Sequence, residues 1–219
     1  MQFELIVFDW DGTLMDSEAR IVGCLRRAFS ELEQPVPPPD EARDVIGLGL
    51  DQAMRRLHPT ADENLRGELI RRYRYHFLRA DPSASPLFEG AHATVAELHG
   101  RDLLLAVATG KSRIGLEQAL NDSGLRDYFH AMRCAEQTQS KPHPQMLLEI
   151  LDELGVRPAD ALMVGDTEYD MQMARNAGVP AVAVSYGVHA PERLLAHGPL
   201  ACLGRISELP DWLLAEAGA

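Results

Sequence analysis

Residues 3–8 form a nearly unbroken apolar run that stops at Asp9-Trp10-Asp11-Gly12-Thr13. A strand with so little polar alternation is one covered on both faces, the condition of a strand inside a parallel sheet. Similar runs recur at 103–108, 161–164 and 181–184. The segments between them carry helical periodicity. In 144–154, Leu147, Leu148, Leu151 and Leu154 share one face, Pro144 stands in the first turn and Gly155 lies just past the end. Glu168–Ala177 is a second such segment, followed by Gly178. Strands alternating with helices predict an α/β fold, a doubly wound, Rossmann-like parallel sheet.

Residues 17–80 interrupt that alternation. Ile21, Val22, Leu25, Phe29 and Leu32 form a helical stripe ended by Pro35 and by Pro37-Pro38-Pro39. Shorter helical patterns follow at 41–46 and Leu50–Leu57. A longer one spans 63–79, with Leu65, Leu69, Tyr73 and Phe77 on one face. No strand pattern occurs here, so the stretch is expected to be a small all-helical cap domain inserted after the first strand. Its crossings are expected near Met15-Asp16 and at 81–86. The chain then divides into a core of residues 1–15 and 84–219 and a cap of residues 16–83. Residues 17–80 hold eleven arginines and ten acids, so nearly all of the net charge of −12 belongs to the core. Arg71, Arg72 and Arg74 read as a solvated helix face.

A strongly negative chain is a poor partner for nucleic acid or an anionic membrane, and neither is expected. Cys24, Cys134 and Cys202 are odd in number and far apart, which argues for a reducing compartment and against disulfides or zinc. No signal peptide or membrane-spanning run is recognisable, so a cytoplasmic protein is expected. The only lysines are Lys111 and Lys141.

Asp9 and Asp11 follow the first buried strand directly, where open α/β sheets bind their ligands. A calcium loop would need glycine where Leu14 stands. Gly165-Asp166-Thr167-Glu168-Tyr169-Asp170 again ends a buried run. Thr167 or Asp166 alone could be a helix N-cap. Three acids within five residues at a strand end are costly without a cation, and with Asp9 they make an oxygen-rich site suited to Mg²⁺. Thr109-Gly110 ends a third run. With Lys111-Ser112 it looks like half a P-loop, but Leu105 occupies the position of the first glycine. A threonine hydroxyl and loop amides ahead of a helix can still hold one phosphate. Lys141, in Ser140-Lys141-Pro142-His143-Pro144, sits at a helix entrance and reads as a charge-balancing phosphate ligand. The faint nucleophile elbow at Ser185 lacks its leading glycine and has Ala183 instead. The histidines show no zinc spacing. His143 reads as a helix-entry residue and His76 as part of the long cap helix.

Asp9-x-Asp11-Gly12-Thr13, Thr109, Lys141 and Gly165-Asp166 with Asp170 stand in a fixed order. In that order they resemble the haloacid dehalogenase superfamily, in its phosphatase branch with a helical cap. Ser140–Pro144 and 176–179 look most like the phosphoglycolate phosphatase-like group. The resemblance implies that Asp9 attacks phosphorus and becomes an aspartyl phosphate, with Asp11 as general acid and then base. It implies Mg²⁺ held by Asp9, Asp166 and the backbone carbonyl of Asp11. It implies Thr109, with Gly110, and Lys141 on the phosphoryl oxygens, and Asp170 orienting Lys141 or a metal-bound water. The cap would close over a small phosphorylated metabolite, phosphoglycolate being the first expectation. Gly47, Leu48 and Arg55 are the candidate specificity residues, with Arg43 and Arg56 nearby. Monomer and dimer are both open.

Rival chemistries of the same superfamily leave marks in the sequence. A dehalogenase needs neither the metal nor an acid at position 11. A phosphonate hydrolase needs a cap lysine, and 17–80 has none. A phosphosugar mutase keeps the same core residues but tends to carry an arginine about where Leu50 stands. A non-catalytic binding protein on this scaffold would usually have lost one of the acids.

Overall fold

A computed structural model of the chain describes residues 3–80 and 85–216. β1 (Leu5–Phe8), β2 (Leu104–Thr109), β3 (Ala131–Cys134), β4 (Ala161–Gly165), β5 (Ala181–Val184) and β6 (Ala201–Leu203) form one sheet in the order β3-β2-β1-β4-β5-β6. Every pairing is parallel, with Leu5 opposite Leu104 on one side and Ala161 on the other. The strand order reverses at β1, which places the ends of β1 and β4 side by side at the switch point.

The apolar run of β1 is buried throughout because alternate side chains feed two cores. Ile6 and Phe8 pack with Leu105, Val107, Leu162 and Val164 against α5 (Ala91–Gly100), α6 (Arg113–Ser123) and α10 (Leu209–Glu216). Leu5 and Val7 pack with Ala106, Ala108 and Met163 against α7 (Gln145–Leu154) and α8 (Glu168–Ala177). α7 and α8 each end on a left-handed glycine, Gly155 and Gly178, as their sequences predict. Near the C-terminus, α9 (Pro191–Leu195) lies against α8 and β5. β3, β6, α5, α6, α9 and α10 were not expected from periodicity.

Between β1 and α5 lie α1 (Glu18–Glu31), α2 (Pro39–Asp44), α3 (Leu50–Leu57) and α4 (Glu63–Tyr75), with a π-helical turn at His76–Ala80. Their apolar stripes converge on a separate cluster that includes Ile21, Leu25, Phe29, Met54, Leu69 and Phe77. Tyr169 of α8 and Val188 join it, which seats the helices on the C-terminal edge of the sheet. The outgoing crossing at Met15-Asp16 is tied to the return, since the Asp16 amide donates to the Pro86 carbonyl at 2.8 Å. Most of the expected return crossing, residues 81–84, lies outside the described residues. No described helix is long and apolar enough to cross a membrane.

Candidate active site

Asp9 leaves the end of β1 with its amide donating to the Val164 carbonyl of β4 at 2.9 Å. Its Oδ1 accepts from the Trp10 amide at 2.6 Å and lies 2.8 Å from the Lys141 ammonium. Oδ2 is buried and has no hydrogen-bond partner. Lys141 is fully buried and donates to Asp170 Oδ1 at 2.6 Å, so one ammonium joins the strand-end aspartate to α8. Asp170 Oδ2 accepts from the Thr167 amide at 3.0 Å and hydroxyl at 2.6 Å, and the Thr167 side chain caps α8 in return. The N-cap reading of Thr167 therefore holds, within the same hydrogen-bond network as the acids.

Asp166 follows β4 and is fully buried. Oδ1 accepts from the Thr13 hydroxyl at 2.7 Å and Oδ2 from the Val188 amide at 2.8 Å. Thr13 is fixed in turn by Tyr186, whose hydroxyl donates to the Thr13 carbonyl at 2.6 Å. Two glycines make room for this carboxylate. A Cβ on Gly12, at φ +87°, would stand 2.1 Å from Asp166 Oδ2, and one on Gly187 would stand 2.3 Å from the Asp166 Cβ.

Asp11 turns toward a different partner. Its oxygens accept from the Lys111 ammonium at 2.8 and 3.0 Å, and Oδ1 also accepts from the Ser17 hydroxyl at 2.6 Å. That ammonium lies 4.6 Å from the centre of the Phe77 ring, so a helix-bound aromatic covers a core cation. Thr109 is buried at the end of β2, with its hydroxyl accepting from the Lys111 amide at 3.2 Å.

A cavity of about 60 Å³ is lined by Asp9, Asp11, Thr109, Gly110 and Lys111 on the sheet side and by Gly47, Leu48, Tyr73 and Arg74 on the helical side. Gly110 is required by the approach of that helical side. A Cβ there would meet the carbonyl oxygens of Gly47 and Leu48 at 2.6 Å. The expectation that Arg55 borders the site is corrected. Arg55 is exposed and pairs with Asp51 one helical turn away, because its position on α3 points outward. Arg43 instead bonds Glu18 and the Gly187 carbonyl, and Arg56 bonds Asp44 and the Tyr169 hydroxyl, outside the described cavity lining. Arg74 is corrected in the opposite sense. It lines the cavity and pairs with Glu136 at 2.5 Å rather than lying free on a solvated face.

Ser17, Val188, the bond from Thr13 to Asp166 and the pairing of Lys111 were not anticipated. Lys111 carried one available signal, since it is one of only two lysines in an acidic chain and follows a strand end. Arg74 carried a weaker one, three residues from Phe77 on the apolar stripe.

The charge in this crevice is unbalanced. Burial pushes the Asp9 carboxyl well above its usual range, and Asp170 and Asp166 add to the shift against the pull of Lys141. Burial, then Asp170, pushes Asp166 up to about 7 despite its bonds to Val188 and Thr13. Burial works against the Lys141 charge, yet Asp170 and Asp9 more than offset it and raise its pKa. One oxygen each of Asp9, Asp166 and Asp170 lies within 4.8 Å of the others. Both Asp170 oxygens are already bonded, whereas Asp9 Oδ2 is not. Hard, anionic, under-neutralised oxygens of this kind fit a divalent cation such as Mg²⁺.

Fold and site together define an α/β enzyme built around strand-end carboxylates. Residues 6–184 match the family model of the haloacid dehalogenase-like hydrolases, and the chain belongs to that family. It is 34% identical over 210 residues to the "Probable phosphatase IndB" of Dickeya dadantii, covering 94% of this chain and 91% of that one. It is 31% identical over 219 residues to a phosphoglycolate phosphatase of Rhodospirillum rubrum, covering 95% and 90%. The fold matches a crystal structure of a "predicted phosphoglycolate phosphatase" from Haemophilus somnus with a TM-score of 0.88. That match has 23% identity and covers 97% of this chain and 99% of the other.

Proposed function

We propose that the protein is a Mg²⁺-dependent phosphatase that hydrolyses small phosphomonoesters, the class to which phosphoglycolate belongs, in two steps through Asp9. The observation that carries this reading is the Asp9 carboxylate. Oδ1 is pinned by Trp10 and Lys141, while Oδ2 is buried without a partner. A carboxylate whose orientation is fixed in this way at a strand end is pre-organised to attack phosphorus.

In the first step an Asp9 oxygen bonds to phosphorus, the bond from phosphorus to the leaving oxygen breaks, and Asp11 delivers its proton to that oxygen. In the second, Asp11 takes a proton from the water that attacks the aspartyl phosphate, and Asp9 is regenerated as phosphate departs. Lys141 and Thr109, with the Gly110 amide, bind the phosphoryl oxygens, and Asp170 holds Lys141 in place. Asp9, Asp166 and the backbone carbonyl of Asp11 would hold Mg²⁺, which supplies charge neutralisation for the phosphoryl group and the carboxylates. The helical unit, residues 16–83, serves as the cap, with Gly47 and Leu48 toward the leaving group. The phosphatase names of relatives at 34% and 31% identity support the reaction class.

Phosphate release from a panel of small phosphomonoesters, with and without Mg²⁺, tests the reading on the wild type and Asp9→Asn. Metal-dependent release abolished in the variant is expected. Undiminished release by Asp9→Asn contradicts it, and an isomerised sugar phosphate in place of free phosphate identifies a mutase instead.

A further inference from the structure

Resting on the phosphatase reading above, we infer that the leaving group is an uncharged alcohol with an apolar body, and that the site discriminates against leaving groups bearing a carboxylate. Away from Asp9, Asp11, Thr109 and Ser112, most of the cavity wall is hydrocarbon: Ile21, Leu25, Ile46, Leu48, Leu50 and Phe77 all line it. Tyr73 contributes a phenol that burial, then Asp11, holds well above its usual pKa, so it is neutral as well. The described lining has two cations, Lys111 and Arg74, and each already bonds a carboxyl group of the protein. Lys111 donates to both Asp11 oxygens and Arg74 pairs with Glu136. A carboxylate entering this wall would lose its hydration and would have to compete with Asp11 and Glu136 for the two cations of the described lining. A hydrocarbon face loses nothing by the same transfer.

One detail refines the class. Leu50, Arg74, Gly110 and Ser112 line both the cavity of about 60 Å³ and a neighbouring groove of about 730 Å³. A longer alcohol can therefore run past Arg74 into the groove, where Gln52, Gln139 and Asn176 supply uncharged polar contacts.

The test compares kcat/KM for phosphoglycolate, its neutral isostere glycolamide phosphate, and propyl phosphate, with acetyl phosphate as a donor that makes little use of the cap. The two neutral esters are expected to exceed phosphoglycolate by at least about tenfold. Glu136→Gln, which leaves Arg74 without its anion, is expected to narrow that gap several-fold by raising phosphoglycolate alone. Phosphoglycolate turned over as well as the neutral esters overturns the inference while leaving the phosphatase reading intact. So does turnover of acetyl phosphate alone. No release from any donor, acetyl phosphate included, defeats the phosphatase reading and the inference with it. An unchanged substrate ratio in Glu136→Gln overturns the part assigned to the Arg74 pair.

Discussion

Lys141 is the hinge of the site's electrostatics, a fully buried ammonium shared by Asp9 and Asp170. Replacing it with methionine keeps the apolar stem and removes the charge, leaving two buried carboxylates without their counter-ion. At pH 8 Lys141→Met is expected to cost about 3–5 kcal/mol of stability, by urea denaturation, and to lower turnover by about 10²-fold or more. The stability loss should shrink as pH falls, because burial already favours the protonated forms of Asp9 and Asp166. A loss as large at pH 5 as at pH 8 would contradict this charge balance. Asp9, Asp11, Thr109, Lys141, Asp166 and Asp170 were legible in the sequence because each sits at a strand end or a helix entrance, where chain direction aims side chains into one crevice. Ser17, Val188 and the part Thr13 plays on Asp166 were not. They act through a hydroxyl or an amide, groups found at many ordinary positions, and only the fold says which of them reach a carboxylate.

At the scale of elements, the helical unit meets the sheet edge through backbone contacts as well as side chains. Gly110 faces the Gly47 and Leu48 carbonyls so closely that Gly110→Ala must push the 45–49 loop outward. That variant is expected to keep its circular dichroism spectrum and lose about tenfold or more in kcat/KM, the penalty of a misplaced substrate wall. Gly187→Ala acts from the other side. Its methyl would collide with Asp166, so weaker Mg²⁺ binding by isothermal titration is expected, again with the fold retained. Helices α1, α3, α4, α7 and α8 were readable because a 3.6-residue stripe survives in each. β3 and β6 were not. Both are short edge strands, and Ala131–Cys134 includes a partly buried Arg133 that breaks the apolar run. Arg55 and Arg74 were misassigned because a one-residue change of helical phase, about 100° of rotation, separates a cavity wall from solvent, and a stripe reading does not resolve it at the margin.

For the whole molecule, the proposed metal site would couple the concentration of negative charge in the core to folding. In the folded protein burial pushes the Asp166 carboxyl up to about 7, above the roughly 4 of a free carboxyl, so the unfolded chain releases this proton first as pH rises. The metal-free protein therefore loses stability as pH rises between those values, and a cation bound to the ionised form restores it. Thermal unfolding is expected to show a larger Mg²⁺-induced rise in Tm at pH 8 than at pH 6, and an equal rise at both would argue against Asp166 as a ligand. The central claim is that the phosphoryl group passes through Asp9. Rapid acid quench of the enzyme during turnover of a phosphomonoester, followed by peptide mass spectrometry, measures this directly. A phosphoryl group on the peptide containing Asp9, formed and lost at the rate of turnover and absent from Asp9→Asn, is predicted. Steady turnover with that peptide unmodified throughout would contradict the account.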